Sequence, residues 1–367
     1  MGLQIKSLAA AVFATTSRDP LATSMHAGMV EQRFMMVRLE TEDGTLGFGE
    51  AAATPFITGE TLETMLAVVR GEIAPLLKGH DIRDVQGMHR RLDRLFPTGN
   101  RSAISAVDMA VHDALGQALG VPVSVLLGGA PAGEVESSRA ISTGPALEMA
   151  AAARRNLAAG YRTIKIKVGA DAASELVAIR AIREESGPEL RIKLDANQGW
   201  TFAEAARFLE AAERFDIHVI EQPLKAGDLR GSAELRRRAT IPVMLDEGIH
   251  SPADALRAIG EGACDYINIK LLKSGGLYYG AQIAAIARAA GVGCQIGTLS
   301  TSIGSAAAIH LIHAHPVISL PEVTWPDRLV RNPASGFAVK NGRASIPEAP
   351  GIGLVVEDSM RTGHEFI

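Results

Sequence analysis

The sequence predicts an α/β chain, with an α+β portion followed by an eight-stranded βα barrel. Three observations carry this. Past the run LLGGAP, at 126–131, short apolar strands alternate with Ala-rich helical stretches. The strand ends, read at Thr143, Lys167, Asp195, Glu221, Asp246, Lys270, Gly297 and Glu322, recur every 24 to 28 residues. So regular a period marks repeated βα units, and eight of them close a barrel. An open doubly wound sheet is the competitor, but the first turn holds GGAPAGEVES, which is not the G-x-G-x-x-G phosphate loop.

The elements follow in order. The start, MGLQIKSLAAAVFATTSRDP, has neither a basic leader nor a long apolar run, so it reads as a first strand and not a signal peptide. It also lacks the Ser/Thr of a myristoylation signal. MMVRLETEDGTLGFGEA alternates around Asp43-Gly44 and predicts a hairpin. TLETMLAVVRGEIAPLL and AISAVDMAVHDALGQALG carry helical periodicity, the second ending at Gly120 with Pro122 just beyond. The tail contains FAVKNGRASIP, a second hairpin on Asn341-Gly342, which is expected to return to the first portion. The expected division is residues 1–125 with tail 330–367 as one domain, and 126–329 as the barrel.

Composition narrows the function. Of 367 residues, 47% are hydrophobic and 21% charged, enough for a packed core. Net charge is −4 with no Lys/Arg block, which argues against nucleic acid. Cys264 and Cys294 sit in apolar runs and are expected as buried free thiols. No apolar run reaches membrane-spanning length, so a cytoplasmic protein is expected.

Barrel chemistry sits at the C-terminal ends of strands. Here Asp195, Glu221 and Asp246 occupy three consecutive ends, flanked by Lys167 and Lys270. In a ring of eight, the second and sixth strands lie opposite each other, so these two lysines face each other across an acidic arc. Any one such carboxylate could cap a helix or pair with a lysine. Three on adjacent strands repel unless a cation sits among them, and hard oxygen ligands suit Mg²⁺. In TIKIKVG, Lys165 and Lys167 share one strand face. A lysine is a general base only when neutral, and neighbouring positive charge favours that form. Lys167, nearer the rim, is therefore read as the base, with Lys165 as its electrostatic neighbour. Lys270 serves the opposite face. Lys193, deeper than Asp195, is expected in a barrel ion pair, and Lys273 in solvent. Such a site can remove a proton α to a carboxylate, giving an enediolate, and return it on either face.

The motifs K-x-K, D-x-N, E-Q-P, D-E and N-I-K resemble the enolase superfamily, specifically its muconate-lactonizing subgroup. GEAAATPFITGET, AVDMAVHDALGQALGVPVSVLLGG and PEAPGIGL extend the resemblance over the whole chain. It implies an α+β capping domain on a (β/α)₇β TIM-like barrel. It also implies Mg²⁺ on Asp195, Glu221 and Asp246, with Lys167 and Lys270 as the acid/base pair. Capping loops at about Thr16–Met29 and Ala52–Thr61 would set specificity. The motifs are similar to those of Ala-Glu-type dipeptide epimerases, although PEVTWP puts Glu322 and Thr324 where those enzymes carry D-x-D. Glu322 also matches the strand-eight E-x-x-x-P of muconate cycloisomerases. The expected substrate contacts are His26, Ile57, Thr298, Glu322 and Thr324, with Asn197, Glu247 and Lys193 supporting the site. Glu322 beside Trp325 suits a substrate nitrogen that is cationic or donates hydrogen bonds. The leading expectation is an Mg²⁺-dependent racemase or epimerase of a dipeptide or amino-acid derivative. A cycloisomerase or acid dehydratase is the second, and a non-catalytic binding protein the third. The expected partners are a small-molecule carboxylate and further copies of the chain, not nucleic acid or membrane.

Overall fold

The computed structural model describes residues 2–21 and 28–362. Strands β1 (Ile5–Thr16), β2 (Glu31–Thr41) and β3 (Leu46–Ala52) form an antiparallel sheet in that order. The predicted hairpin joins β2 to β3, and Gly44 supplies the left-handed turn residue, φ 85°. The first helical run is α1 (Leu62–Val68), continued by a π turn at Val69–Ile73 and a last turn at Ala74–Leu77. The interruption falls at Gly71 and Pro75, both poor interior helix residues. Helix α2 (Val85–Leu95) has no counterpart in the sequence reading; Asp84 caps it by accepting from Gly87 N at 2.7 Å. Helix α3 (Arg101–Leu119) ends on left-handed Gly120 as expected. It is buried along most of its length, packed on β3 and against the barrel.

β4 (Glu134–Glu136) precedes the barrel. Then follow β5 (Arg139–Ile141), α4 (Ala146–Ala158), β6 (Thr163–Lys167), α5 (Ala172–Ser186), β7 (Arg191–Asp195) and α6 (Phe202–Ala212). Next come β8 (Ile217–Glu221), α7 (Leu229–Arg238), β9 (Val243–Leu245), α8 (Pro252–Gly260) and β10 (Tyr266–Ile269). The last elements are α9 (Leu277–Ala289), β11 (Gly293–Gly297), α10 (Ser302–Ala314) and β12 (Ile318–Glu322). Parallel ladders run in sequence order from β5 to β12. Ser138 N, just ahead of β5, donates to Pro321 O on β12 at 2.9 Å and brings the first and last strands together. This is the (β/α)₇β barrel.

Three strands stop short of the predicted ends. β5 ends at Ile141, where Gly144-Pro145 soon turns the chain away. β9 and β10 end one residue early because Asp246 N turns to Gln222 Oε1, 2.9 Å, and Lys270 caps a short turn, Leu271–Ser274. In the tail, β13 (Ala334–Ser335) pairs with β16 (Val355–Val356). The Asn341-Gly342 hairpin is β14 (Ala338–Lys340) with β15 (Arg343–Ser345), and β15 pairs with β4. Ile352 N also donates to Asp113 on α3, 2.9 Å, so the tail touches both parts of the molecule. Both cysteines are free and buried. Among the described residues, no helix is long and apolar enough to cross a membrane.

Candidate active site

Parallel pairing sets Lys167, Asp195 and Glu221 side by side, with Lys165 and Lys193 one layer deeper. Side chains two residues apart share a strand face, so both layers point into the barrel while Ile164, Ile166 and Val168 pack outward. Lys167 Nζ donates to Asp195 Oδ2 at 2.6 Å and Asn197 Oδ1 at 2.9 Å. Lys165 Nζ lies 2.9 Å from Glu322 Oε1, 3.3 Å from Asp195 Oδ2 and 3.5 Å from Glu221 Oε2. On the far side, Lys270 Nζ pairs with Asp246 Oδ2.

Opposite charges packed this closely move each other's protonation. Burial opposes ionisation of Asp195, but Lys167 and Lys165 hold its carboxyl down at about 2. Glu221 goes the other way, to about 7, through burial and the neighbouring Asp195 charge. Burial works against the ammonium groups of Lys165 and Lys270, yet the surrounding carboxylates outweigh it and raise both.

The donor set suits a hard divalent cation. The three carboxylates lie on adjacent strand ends, and buried Asp246 Oδ1 accepts no well-aligned hydrogen bond, although the Lys273 ammonium stands 3.2 Å from it. Among the described residues, no three His, Cys, Asp or Glu side chains already converge as a metal cluster. Lysine ammonium groups stand among them and balance their charge.

Above this layer opens a cavity of about 230 Å³ between the two portions of the chain. Lys165, Lys167, Lys270, Asn197, Glu247, Thr298, Glu322 and Ile57 all line it, together with Trp325. Thr324 does not; it is buried, and its Oγ1 points to Ser138 O, 3.5 Å away. A turn of 3-10 helix at Trp325–Arg328 starts right after it and turns that hydroxyl inward. Glu322 is already engaged by Lys165 and, at 3.4 Å, by Lys193. Lys193 is indeed a deep ion-pair partner, also donating to Gln295. Lys273 is not in solvent. It is fully buried, donating to Asp246 O at 2.7 Å, Ile249 O at 2.5 Å and Asn268 O at 3.0 Å. The short Leu271–Ser274 turn folds it back under the acidic arc. His26 lies outside the described residues.

Several supporting residues were not singled out from sequence. Gln222 Oε1 accepts from Asp246 N and braces that carboxylate, while its own backbone takes a left-handed φ of 39°. Asn268 Nδ2 and Gln295 Nε2 donate to the two oxygens of Glu221 at 2.8 and 3.0 Å. Gln222 and Asn268 sit inside the E-Q-P and N-I-K motifs, which was the available signal. Gln295 had none.

Residues 7–128 match the mandelate racemase/muconate lactonizing enzyme N-terminal domain, and residues 148–360 the enolase C-terminal domain-like family. The chain is 36% identical to the L-Ala-D/L-Glu epimerase of Clostridium acetobutylicum, over 87% of this chain and 90% of that one. The dipeptide epimerase of Enterococcus faecalis, solved with Mg and L-Leu-L-Tyr, superimposes with a TM-score of 0.92 at 29% identity, covering 96% and 99% of the two chains. The muconate lactonizing enzyme of Pseudomonas fluorescens, complexed with muconolactone, gives 0.94 at 29% identity over 100% of both. With charged strand ends, capping portion and both family matches in agreement, this chain belongs to the mandelate racemase/muconate lactonizing enzyme family and is an isomerase of the enolase superfamily.

Proposed function

We propose that the protein is an Mg²⁺-dependent racemase or epimerase that moves the proton α to a carboxylate, acting on a dipeptide or amino-acid derivative. One observation carries the reading. Lys167 on β6 and Lys270 after β10 reach one cavity from opposite sides of the barrel, with the acidic arc between them. One lysine takes the proton from one face and the other returns it from the opposite face. Mg²⁺, held by Asp195, Glu221 and Asp246, would supply positive charge for the substrate carboxylate as negative charge builds there. Asn197 orients Lys167, and Lys165, kept protonated by its carboxylates, offers the substrate carboxylate a second cation. The relatives' names support epimerisation. Glu322 with Pro326 four residues on, and the likeness to muconate lactonizing enzyme, favour cycloisomerisation as the second reading.

The test is a panel of dipeptides, N-acyl and N-methyl amino acids and muconate, incubated with enzyme and Mg²⁺ in D₂O. Epimerisation puts deuterium on the α-carbon of a panel member and scrambles its configuration. A change of absorbance on muconate without such exchange overturns this reading in favour of the second.

A further inference from the structure

We propose that Glu50 is a positioning residue that locks two walls of the cavity together across the junction between the capping portion and the barrel. The proposal rests on reading that cavity as the substrate site. One wall, Ala52, Ala53, Thr54, Phe56 and Ile57, begins on the last residue of β3, two residues after Glu50. Another, Thr298 and Leu299, follows β11 and ends two residues before Thr301. Glu50 and Thr301 are joined directly. Thr301 N donates to Glu50 Oε1 at 2.6 Å, and the Thr301 hydroxyl donates to Oε2.

The junction is shaped to receive a carboxylate. Glu50 is 1% exposed. It sits at the N-terminus of α10, where unpaired N–H groups favour negative charge. Gly304, in the first turn, leaves the room: a Cβ there would come within 2.8 Å of Oε1. Burial still pushes the carboxyl up to about 7 against the hydrogen bonds it accepts. A leucine would fill the same space without that desolvation cost. What Glu50 supplies and a leucine does not is a two-point polar grip on Thr301.

The grip continues into the cavity. Ser305 Oγ donates to Thr298 Oγ1 at 3.3 Å and pairs with Ser300 Oγ at 2.8 Å. Thr298 in turn donates through N and Oγ1 to Glu322 O at 3.0 and 3.1 Å. Releasing Glu50 would let the two walls shift relative to each other while leaving the lysines and carboxylates on their strands. Binding should therefore suffer before chemistry does.

The experiment compares the full-length wild type, Glu50→Ala and Glu50→Gln. Amide hydrogen exchange is followed without substrate, so this arm does not depend on the functional reading. Glu50→Ala should speed exchange about tenfold at residues 51–54 and 299–303 and leave β6 unchanged. Glu50→Gln, whose amide oxygen still accepts from Thr301 N, should restore most of the protection. With whichever panel member exchanges its α-proton, Glu50→Ala should raise KM about tenfold, equivalent to about 1.4 kcal/mol, with kcat within about threefold. Glu50→Gln should recover most of that loss. Wild-type protection in Glu50→Ala overturns the proposal, as does a fall in kcat at unchanged KM. If Glu50→Ala does not fold, Thr301→Val, which loses only the hydroxyl, must move both readouts in the same direction, and its failure to do so is equally decisive. Failure of every panel member would count against the functional reading, while the exchange arm still judges the grip.

Discussion

Lys273 carries a charge into a place where no water reaches it. Three backbone carbonyls and the Asp246 carboxylate, 3.2 Å away, surround the ammonium. Burial lowers its proton affinity, against the pull of Asp246. Its work is to tie the loop after β9 to β10, directly beneath a proposed metal ligand. Lys273→Met keeps the volume but takes the charged donor from all three carbonyls, of which Asp246 O keeps Ile249 N at 3.0 Å, and each hydrogen bond lost to a charged group costs about 1.5–3 kcal/mol. The expected result is an unfolding free energy lowered by several kcal/mol, read as a lower chemical-denaturation midpoint at an unchanged m-value. A midpoint equal to wild type contradicts this role. The strand-end charges were legible because period-two alternation assigns a face and the strand boundary assigns a depth. Lys273 was not, since a charge in a Gly-rich loop carries no mark of burial until the loop's direction is known. Thr324 was misread for a related reason. Its distance from Glu322 suggests a shared face, but the chain has already left the strand.

At the level of elements, two buried carboxyls outside the charged arc join the capping portion to its neighbours. Glu50 caps α10, and Asp113 on α3 accepts from Phe48 N at 2.9 Å and from the tail. Burial raises them to about 7 and about 6. Their folded values exceed their unfolded ones, 4.5 and 3.8, so the folded protein holds protons the unfolded chain releases. That stabilisation is complete below the unfolded values and is lost as pH rises through about 6 to 7. Glu50 accounts for about 3 kcal/mol of it, at about 1.4 kcal/mol per pKa unit. His310, pushed down to about 4 by burial, works in the opposite sense at lower pH, so the informative quantity is a difference. Between pH 5 and 8 the melting temperature of Glu50→Gln should rise relative to wild type. Parallel curves would show that Glu50 does not titrate in this range. Sequence placed most of the barrel strands to within a residue because β6, β7, β8 and β12 end in a charged residue and β9 and β10 are each followed by one. It missed α2, where Met88, His89 and Leu92 are almost all that mark the buried face. It could not foresee the grip between β3 and α10, which are some 250 residues apart in the chain and share no pattern.

Over the whole molecule, the fold does two things with one charge arrangement. The parallel ladder fixes the carboxylates on neighbouring strands, and ring closure sets Lys167 against Lys270. The capping portion roofs the resulting cavity with apolar side chains from two of its segments, among them Leu21, Met29, Phe56 and Ile57. Barrel and capping portion were both legible, the first from its period and the second from its hairpin and helices. Substrate identity was not, because it depends on how loops far apart in sequence meet over the rim.

The central claim, two opposed lysines working on one α-proton, is tested most directly by following deuterium into each stereoisomer of an active substrate separately. The account predicts that Lys167→Ala stops exchange from one isomer and Lys270→Ala from the other. Each variant alone should abolish interconversion, and excess EDTA should silence the wild type until Mg²⁺ is returned. Single variants that still exchange both isomers, or a wild type that turns over unchanged in EDTA, would contradict it.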